Sequence, residues 1–520
     1  MYKVALSINV AAPLVSFGRV KLSNRFIQLS KQVGIMSQSR MLHDKAFING
    51  EWVHAKSGKT FAVTNPATQE VIANLPDMNH EDTEIAIQAA RKAFDSWKST
   101  TGKERAKLMR KWYELAVSKQ EELAKVLTLE NGKPLKEAVG EIIYSTDYLE
   151  FYSEEARRIH GEVLSSPIPS KTMILVREPI GVIGMLTPWN FPTAMIARKA
   201  AAAIASGCTC VIKPAEDTPL SALLLAEVAA EAGIPPGVIN VVTASRENTP
   251  SVGEKLCHSE QIAGVSFTGS TAVGKILYKQ CSSTVKRLGL ELGGNAPFIV
   301  FESADLDNAV AGLMASKFRN TGQTCVSTNR ILLHEKVHDQ FVEKLKSAMS
   351  GLVVGDGLNP NSTQGPLINK NQFLKVSALV QDALSNGAKK VLGGEPHQLG
   401  GTYYEPTLLT GINPSMQAYK EEIFGPVAMT LKFSTEEEAL RIANDTRSGL
   451  ASYFFSNDLS QIRRVSRALE YGMVGINEGI ISAAEAAFGG IKESGFGREG
   501  SRHGIDDYTQ LKYLCFGNLT

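Results

Sequence analysis

The most regular pattern in the chain is an alternation of short apolar runs with longer amphipathic stretches between residues 181 and 292. The apolar runs include GVIGMLT, TCVIKPA, GVINVVTA and IAGVSFTG, each of a length typical of a buried strand. Stretches with helical spacing follow them, among them TAMIARKAAAAIASG and PLSALLLAEVAAEAG. Strands that alternate with helices in this way predict βαβ units, so we expect a parallel sheet covered on both faces.

Two flanking regions extend this α/β pattern. Residues 79–99 predict an amphipathic helix with an acidic first turn and with Ile85, Ala89, Ala93 and Trp97 on one face. A second α/β region begins at APFIVFES (296–303) and has a helix followed by a loop that contains Cys325. We therefore expect this cysteine at the junction of two α/β domains, where ligand clefts are common.

Composition and charge narrow the class of protein. The chain has 520 residues, of which 43% are hydrophobic and 21% charged, as in soluble globular proteins with more than one domain. A formal net charge of +2 argues against broad nucleic-acid binding, which needs a clustered basic surface. No apolar run reaches the roughly 18 residues of a membrane span, so we expect neither nucleic acid nor membrane as a partner.

The N-terminal segment differs from the rest in charge. Residues 1–43 contain six Lys or Arg residues and no acid, and Asp44 is the first acidic residue. This composition is typical of a mitochondrial transit peptide, although a tail without a targeting role has the same features. We expect residues 1–43 to be a leader and the protein to lie in the mitochondrial matrix.

The six cysteines show no C-x-x-C or zinc-module spacing, so we predict no metal centre and a reducing intracellular compartment. Cys325 lies among small polar residues in NTGQTCVSTNR. From this stretch alone it could be a nucleophile, a metal ligand, half of a disulfide or a small buried apolar residue.

Two turns at strand ends are candidates for cofactor binding. SFTGSTAVGK (266–275) has the order strand, Gly-rich turn, helix, so Gly269 and Ser270 could border a phosphate at the helix N-terminus. VIKPAED (211–217) puts Lys213 and Glu216 just past another strand, where open α/β sheets bind ligands. A carboxylate there could accept hydrogen bonds from a ribose and repel a 2′-phosphate. An ordinary βα turn and a solvated carboxylate at a helix start explain these features equally well.

Two further side chains are candidates for catalysis. Asn190 in LTPWNFP follows a strand, and its amide could stabilise an oxyanion or cap the next helix. Glu291 in LELGGNAP lies between two leucines, and apolar surroundings raise a carboxyl pKa, which suits a general base. An ion pair at a strand edge is the alternative for Glu291.

Taken together, these stretches resemble the aldehyde dehydrogenase superfamily. LTPWNFP, VIKPAED, FTGSTAVGK, LELGGNAP, NTGQTC and EEIFGP occur in this order across 186–426, and the likeness continues through FGGIKESGFGREGSRHGIDDYTQLKY (488–513). It therefore covers nearly everything after the leader. The fold that it implies is α/β, with a Rossmann-like dinucleotide-binding domain, an α/β catalytic domain and a small β oligomerisation extension.

The resemblance also implies a role for each matching residue. It makes Cys325 the nucleophile, assigns the oxyanion to Asn190 and the Cys325 N–H, and makes Glu291 the base that activates water. For the cofactor, NAD, it implies contacts with Trp189, Lys213, Glu216, Gly269, Ser270, Glu422 and Phe424.

A substrate with a distal carboxylate follows from the same resemblance. Arg198 and Arg319 match carboxylate-binding arginines, Ser482 matches a supporting hydroxyl, and arginine suits a carboxylate because its planar fork donates two parallel hydrogen bonds. We therefore expect NAD-dependent oxidation of succinate semialdehyde. Glutarate semialdehyde, one methylene longer, or another aldehyde with an omega-carboxylate is the alternative.

The implied fold also divides the chain. We expect residues 44–160 and 180–290 to form the NAD-binding domain, 291–495 the catalytic domain, and 161–179 with 496–520 an extension shared in a homotetramer. One residue departs from several relatives, which have TCVC where this chain has TCVS. Since Ser327 replaces the second cysteine, we expect no local disulfide at the nucleophile.

Overall fold

The computed structural model describes residues 42–517. The predicted leader therefore lies outside the described residues except for its last two positions, and so do the last three residues of the predicted extension. None of the helices between residues 42 and 517 is long and apolar enough to cross a bilayer.

The described chain is a mixed α/β structure. Its helices, numbered in chain order, are α1 (His80–Trp97), α2 (Gly102–Ser118), α3 (Gln120–Asn131), α4 (Leu135–Glu155), α5 (Pro192–Ser206), α6 (Leu220–Glu231), α7 (Thr249–His258), α8 (Thr271–Cys281), α9 (Leu306–Phe318), α10 (His338–Met349), α11 (Lys370–Ser385), α12 (Gln417–Lys420), α13 (Glu436–Asn444) and α14 (Leu459–Ala468). Short 3-10 helices lie at Ser282–Thr284, Arg319–Gly322 and Arg502–Ile505.

The strands, also numbered in chain order, include short pairs as well as the members of the larger sheets. They are β1 (Ala46–Ile48), β2 (Glu51–Val53), β3 (Thr60–Thr64), β4 (Val71–Pro76), β5 (Glu162–Leu164), β6 (Lys171–Pro179), β7 (Val182–Leu186), β8 (Thr209–Lys213), β9 (Ile239–Val241), β10 (Ile262–Thr268), β11 (Arg287–Glu291), β12 (Ala296–Val300), β13 (Thr328–His334), β14 (Lys389–Leu392), β15 (Thr407–Thr410), β16 (Val427–Phe433), β17 (Ser448–Gly449), β18 (Ala451–Phe455), β19 (Met473–Ile476), β20 (Ile491–Lys492), β21 (Gly495–Phe496) and β22 (Thr509–Gly517).

The first large sheet has the order β2-β1-β9-β8-β7-β10-β11-β21 within residues 42–517. Its five middle strands run parallel; they are β9, β8, β7, β10 and β11. Every residue of β7 and β8 is buried, as expected for strands covered on both faces. The predicted parallel α/β arrangement is confirmed. The chain winds outward from β7 through β8 and β9, then returns to pair β10 on the other side of β7. The crevice between the carboxyl ends of β7 and β10 is therefore the switch point at which such sheets bind ligands.

The second large sheet has the order β14-β15-β16-β13-β12-β18-β19 and is parallel except for the β14–β15 pair. Its middle strands are apolar and buried. The link from β11 to β12 connects the two large sheets directly, so the end of the first sheet faces the loops of the second.

A separate three-stranded sheet has the order β22-β6-β5. All nine residues of β22 pair with β6 in antiparallel register, from Thr509 opposite Pro179 to Gly517 opposite Lys171. The predicted extension segments thus lie in one sheet, and its place between subunits stays a prediction. β21 falls on the predicted boundary at residues 495 and 496, where it pairs with β11 of the first sheet.

Helix α1 forms where the sequence predicted it and begins with a capping box between Asn79 and Asp82. The predicted buried face was wrong in part. Ile85 is 39% exposed, whereas Ala86, Ile87 and Ala90 are fully buried. The helix face that packs on the sheet is therefore rotated from the predicted face that contained Ile85. The sequence of this helix has two overlapping apolar stripes, because several of its residues are small.

Candidate functional site

A pocket of about 220 Å³ opens at the carboxyl ends of β7, β10 and β11 and faces the loop before β13. Eight of the residues singled out from the sequence line it: Trp189, Asn190, Gly269, Ser270, Glu291, Cys325, Glu422 and Phe424. Pro188, Thr268, Leu292, Gly293, Gln372 and Lys375 complete the lining. Residues that are more than two hundred positions apart in sequence thus meet at the switch point of the first sheet.

The loop that carries Cys325 has a strained backbone. Asn320, Thr321 and Gly322 follow α9 with φ values of 51°, 58° and 74°, a left-handed run that a β-branched threonine rarely adopts. The Asn320 N–H donates to Glu137 Oε2 at 2.8 Å, and Thr321 Oγ1 donates to the Gly365 carbonyl at 3.1 Å. These bonds hold a sharp turn that brings Cys325, three residues later, to the pocket.

Burial is the main influence on the Cys325 thiol, and it raises the pKa to about 12, although Arg198 and Arg319 act to lower it. The thiol is therefore protonated at neutral pH in this structure, and a base has to take up its proton before it can attack. All six cysteines, which lie within residues 42–517, are free. Ser327 is buried, and its hydroxyl donates to the Lys317 carbonyl at 3.5 Å.

Glu291 is the last residue of β11 and is only 3% exposed. Neither of its carboxylate oxygens has a hydrogen-bond partner among the described residues. Burial raises the pKa of Glu291 well above its usual value, and the nearby Glu499 carboxylate raises it further. A strand-edge ion pair does not form, and burial favours the protonated form of this carboxyl group, which faces the pocket.

Asn190 lies on the turn between β7 and α5 and is 3% exposed. Its Nδ2 donates to the Gln323 carbonyl at 3.1 Å, and its Oδ1 accepts from the Phe191 N–H at 3.1 Å. Since Nδ2 carries two hydrogens, one remains for a ligand oxygen in the pocket. The Asn190 side chain does not cap α5, because its Oδ1 accepts from the N–H of Phe191, which precedes the first residue of the helix.

The candidate cofactor turns lie at the ends of β8 and β10, the two strands on either side of β7. Lys213, the last residue of β8, forms an ion pair with Glu216 at 3.4 Å, outside the pocket lining, and burial lowers the pKa of Lys213. Ser270 Oγ accepts from the Val273 N–H at 3.3 Å, so the serine caps α8. A Cβ on Gly269 would approach the Phe267 ring to 2.4 Å, which explains why the turn needs glycine.

Glu422 and Phe424 enter the pocket from the loop before β16, a strand of the second large sheet. Glu422 Oε1 accepts from the Gly294 N–H at 3.0 Å, and burial raises the pKa of Glu422 to about 7. The Phe424 ring meets Trp189 edge to face, with centroids 5.4 Å apart. A Cβ on Gly293 would lie 2.9 Å from the Glu422 carboxylate, so glycine keeps this side of the pocket open.

Arg198 lies on α5 and does not line the pocket. It is 1% exposed, its Nε donates to Glu499, and its guanidinium carbon stands 4.2 Å from the centroid of the Phe488 ring. Its Nη1 and Nη2 are buried and have no partner among the described residues. The Nε atom therefore makes the contact with Glu499, and the two terminal nitrogens keep their hydrogen-bonding capacity unused among the described residues.

Arg319 and Ser482, the other two predicted substrate contacts, also lie outside the pocket lining. The Arg319 guanidinium is 5.1 Å from the centroid of the Phe191 ring, and no carboxylate forms a salt bridge with it within residues 42–517. Ser482 is half-buried in the loop between β19 and β20. Arg198 and Arg319 both lower the pKa of the Cys325 thiol, so both cations act on the same sulfur.

Lys199 and Glu499 were not predicted from the sequence. Lys199 Nζ donates to Glu499 and to Ser266 Oγ, and both Lys199 and Arg198 are buried in α5. The signal was two adjacent cations in an otherwise apolar helix, which calls for a buried acid. Burial favours a raised pKa for Glu499, but Arg198 and Lys199 together hold it below its usual value.

The described geometry has close counterparts among known proteins. Residues 52–514 match the sequence model of the Aldehyde dehydrogenase family. The chain is 50% identical to the mitochondrial succinate-semialdehyde dehydrogenase of Arabidopsis thaliana over 484 residues, which are 93% of this chain and 91% of that protein.

Solved structures agree with this match. A succinate-semialdehyde dehydrogenase from Burkholderia pseudomallei is 50% identical, with a TM-score of 0.91 over 92% of this chain and 98% of that one. An NADP-dependent enzyme from E. coli is 49% identical, with a TM-score of 0.91 over 92% and 99%. Betaine aldehyde dehydrogenase from Staphylococcus aureus, solved with NAD+, is 34% identical, with a TM-score of 0.91 over 94% and 98%.

Proposed function

The chain belongs to the aldehyde dehydrogenase family, and on that basis we propose that it oxidises succinate semialdehyde to succinate with NAD as the hydride acceptor. One observation carries the substrate: the buried fork of Arg198, whose two terminal nitrogens have no partner among the described residues. A buried cationic fork without a partner is unfavourable, and a carboxylate of the substrate would supply the missing hydrogen bonds. Relatives about 50% identical that carry the name of this activity support the same substrate.

The residues at the strand ends fit a nicotinamide dinucleotide. Gly269 and the N-terminus of α8 form the kind of turn that holds a pyrophosphate, and Glu422 with Phe424 would hold the nicotinamide side. Glu216 lies past β8, where its carboxylate would accept hydrogen bonds from the adenosine ribose and repel a 2′-phosphate. This carboxylate supports NAD, whereas the similarity to an NADP-dependent enzyme makes the choice worth testing.

In the first step Glu291, in its carboxylate form, would take the proton of the Cys325 thiol, and the sulfur would form a bond to the aldehyde carbon. The aldehyde C=O then becomes an oxyanion, and the free Asn190 Nδ2 hydrogen and the Cys325 N–H would stabilise it. Arg198 and Arg319 would hold the distal carboxylate, so that the reacting carbon lies beside the sulfur.

NAD, when bound, accepts the hydride from this carbon. A thioester on Cys325 then remains. After releasing its first proton to solvent, Glu291 would take a proton from water, and the resulting hydroxide would attack the thioester carbon. The C–S bond breaks, succinate leaves, and the Cys325 thiolate takes up the proton that Glu291 holds. In sum, aldehyde, NAD+ and water give carboxylate, NADH and protons.

Steady-state kinetics test this function. We expect succinate semialdehyde to have a higher kcat/KM than butanal by roughly 100-fold or more, since a neutral aldehyde leaves the arginines unpaired. Glutarate semialdehyde should differ by a smaller factor, because one methylene changes binding by only about 1–3 kcal/mol. Each substrate is measured with NAD and with NADP. Equal efficiency on butanal would contradict the carboxylate pocket, and a preference for NADP would contradict the proposed role of Glu216.

Two further properties belong to the same proposal. Residues 1–43, free of acids, would direct the protein to mitochondria, as the names of the relatives suggest. Self-association, as a homotetramer, would cover β22, which exposes Leu511, Tyr513 and Phe516 at 55%, 50% and 40%. A strand with a free edge and exposed apolar side chains favours pairing with a second copy.

A further inference from the structure

We propose that the segment Asn131–Glu141, here named the clamp segment, positions Asn190 and Cys325 relative to each other. It spans the end of α3 and the first turns of α4, and its side chains reach both loops of the pocket. The inference rests on the proposed function only in that it takes Asn190 as an oxyanion donor. Residues of the clamp segment do not line the pocket, so they would act as positioning residues.

The first half of the clamp segment holds the backbone of the Asn190 turn. Asn131 Nδ2 donates to the Trp189 carbonyl at 2.9 Å, and Lys133 Nζ donates to the Asn190 carbonyl at 2.7 Å. Two consecutive carbonyls are therefore fixed from one side. Because both donors are buried, water does not replace them easily, and the direction of the Asn190 side chain follows from where its backbone is held.

The second half holds the loop of the nucleophile. Glu137 Oε2 accepts from the Asn320 N–H at 2.8 Å, at the start of the left-handed run before Cys325. Asn320 Nδ2 in turn donates to the Asn190 carbonyl at 2.9 Å. Asn320 and Lys133 thus share one acceptor, and this carbonyl joins the two loops. A strained run of this kind persists only where its surroundings fix it.

A buried ion pair completes the clamp segment. Lys133 Nζ lies 2.6 Å from Glu141 Oε2, and both side chains are almost fully buried. Glu141 Oε1 accepts from the N–H groups of Thr193 and Ala194 at 3.0 and 3.3 Å, which caps α5 just after the Asn190 turn. The pair therefore hydrogen-bonds to the backbone of the turn at Asn190 itself, through Lys133, and at the start of α5 just after it, through Glu141. A pair that served only to fill the core would need no contact with this backbone.

The test separates positioning from general damage by using two reactions of the same sulfur. Attack on a carbonyl creates an oxyanion, whereas alkylation by iodoacetamide, a displacement at a saturated carbon, creates none. We compare both in the double variant Lys133→Met/Glu141→Gln, which leaves no unpaired buried charge. We expect acylation by p-nitrophenyl acetate and the NADH burst with aldehyde to fall by roughly 100-fold, the usual effect of a misplaced catalytic group. Alkylation of Cys325 should stay within about twofold of wild type.

Two further variants complete the design. Lys286→Met is the matched control, since Lys286 is also buried and donates to two backbone carbonyls, at Ser259 and Ile262, away from the pocket; it should keep both reactions. Lys133→Arg should restore much of the acylation, because its guanidinium can reach the same acceptors.

Unchanged acylation in the double variant, or acylation and alkylation that fall together, would overturn the inference. Ester acylation depends on neither the semialdehyde nor the nicotinamide. A wild-type protein that is acylated by the ester but inactive on succinate semialdehyde would therefore overturn the proposed substrate and leave the clamp segment tested.

Discussion

Cys325 and Glu291 share one property at the scale of the residue: burial opposes the charged form of each. Burial raises the pKa of the thiol to about 12 and that of the carboxyl well above its usual value. A base with a raised pKa takes up a proton more readily, and a thiol with a raised pKa needs such a base. The two shifts therefore act in opposite directions on a proton transfer from Cys325 to Glu291, since the raised pKa of the carboxyl favours the transfer and the raised pKa of the thiol opposes it.

The pH dependence of Cys325 alkylation follows from its raised pKa. Only the thiolate reacts, and below its pKa the thiolate fraction rises about tenfold for each pH unit. Without cofactor or substrate, iodoacetamide should label Cys325 with a rate that still increases from about pH 7 to about pH 9. Peptide mass mapping separates labelling at Cys325 from labelling at the exposed Cys515. The labelling rate at Cys515 serves as the reference for the reactivity of the reagent itself. A rate at Cys325 that is constant over this range would mean that the thiol is already ionised.

Replacement of Glu291 tests the base. Glu291→Gln keeps the shape of the side chain but cannot accept a proton, so NADH formation at steady state should fall by about 100-fold to 10,000-fold. The free energy of unfolding should change little, because neither carboxylate oxygen has a protein partner to lose. The measurement is the rate of NADH formation together with a thermal unfolding curve. A variant that keeps more than about half of the wild-type rate would show that another group accepts the proton.

At the scale of the element, the contact between α8 and Leu292, the residue after β11, sets the place of the cofactor turn. Gly274 lies in α8 four residues after the cap, and a Cβ there would meet the Leu292 side chain at 2.5 Å. Glycine therefore lets the helix pack close to the strand, as the last glycine of a dinucleotide-binding turn does.

Gly274→Ala should thus push α8 away from β11. We expect a loss of about 1–3 kcal/mol of stability and a higher KM for the nicotinamide cofactor. Gly140→Ala is the matched control, because Gly140 is also in a helix but has no atom within 4 Å of its added Cβ. The control should be neutral or gain up to about 1 kcal/mol. Thermal unfolding and cofactor titration measure both, and equal behaviour of the two variants would contradict this packing argument.

The sequence predicted the strands and helices well, but it did not predict every residue that contributes to the site. The alternating runs of 181–292 predicted the parallel strands correctly, because buried strands are apolar throughout and can be recognised in the sequence. Candidates at strand ends, such as Asn190 and Glu291, then met in one pocket because parallel strands end at one edge. The Lys199–Glu499 contact left no local signal for the acid, since its partners are 300 positions apart. The left-handed turn at Asn320 was also hidden, because distant hydrogen bonds stabilise it.

At the scale of the whole molecule, the three-stranded sheet is the surface on which a partner would bury exposed apolar side chains and pair a free strand edge. Leu511 and Tyr513 lie on one face of β22 and are half exposed, next to a free strand edge. Leu511→Lys/Tyr513→Lys should weaken self-association, because charged side chains block the pairing of edges.

Analytical ultracentrifugation over a range of protein concentrations measures this effect. We expect the double variant to dissociate at concentrations where the wild type stays associated. Val71→Lys changes an equally exposed apolar residue on the separate β3–β4 hairpin and should leave the assembly intact. If both variants associate like the wild type, this sheet is not the contact between subunits.

The position of Glu499 has a consequence for biosynthesis. The acid that pairs with both Arg198 and Lys199 lies about three hundred residues downstream of them, and β22 follows it. While the chain is being translated, two cations of α5 have no counter-charge until almost the entire protein has left the ribosome. A premature stop codon just before residue 499 would spare nearly all of both large sheets and still leave these cations unmatched in the core. Late nonsense alleles of this gene should therefore behave as full losses of function.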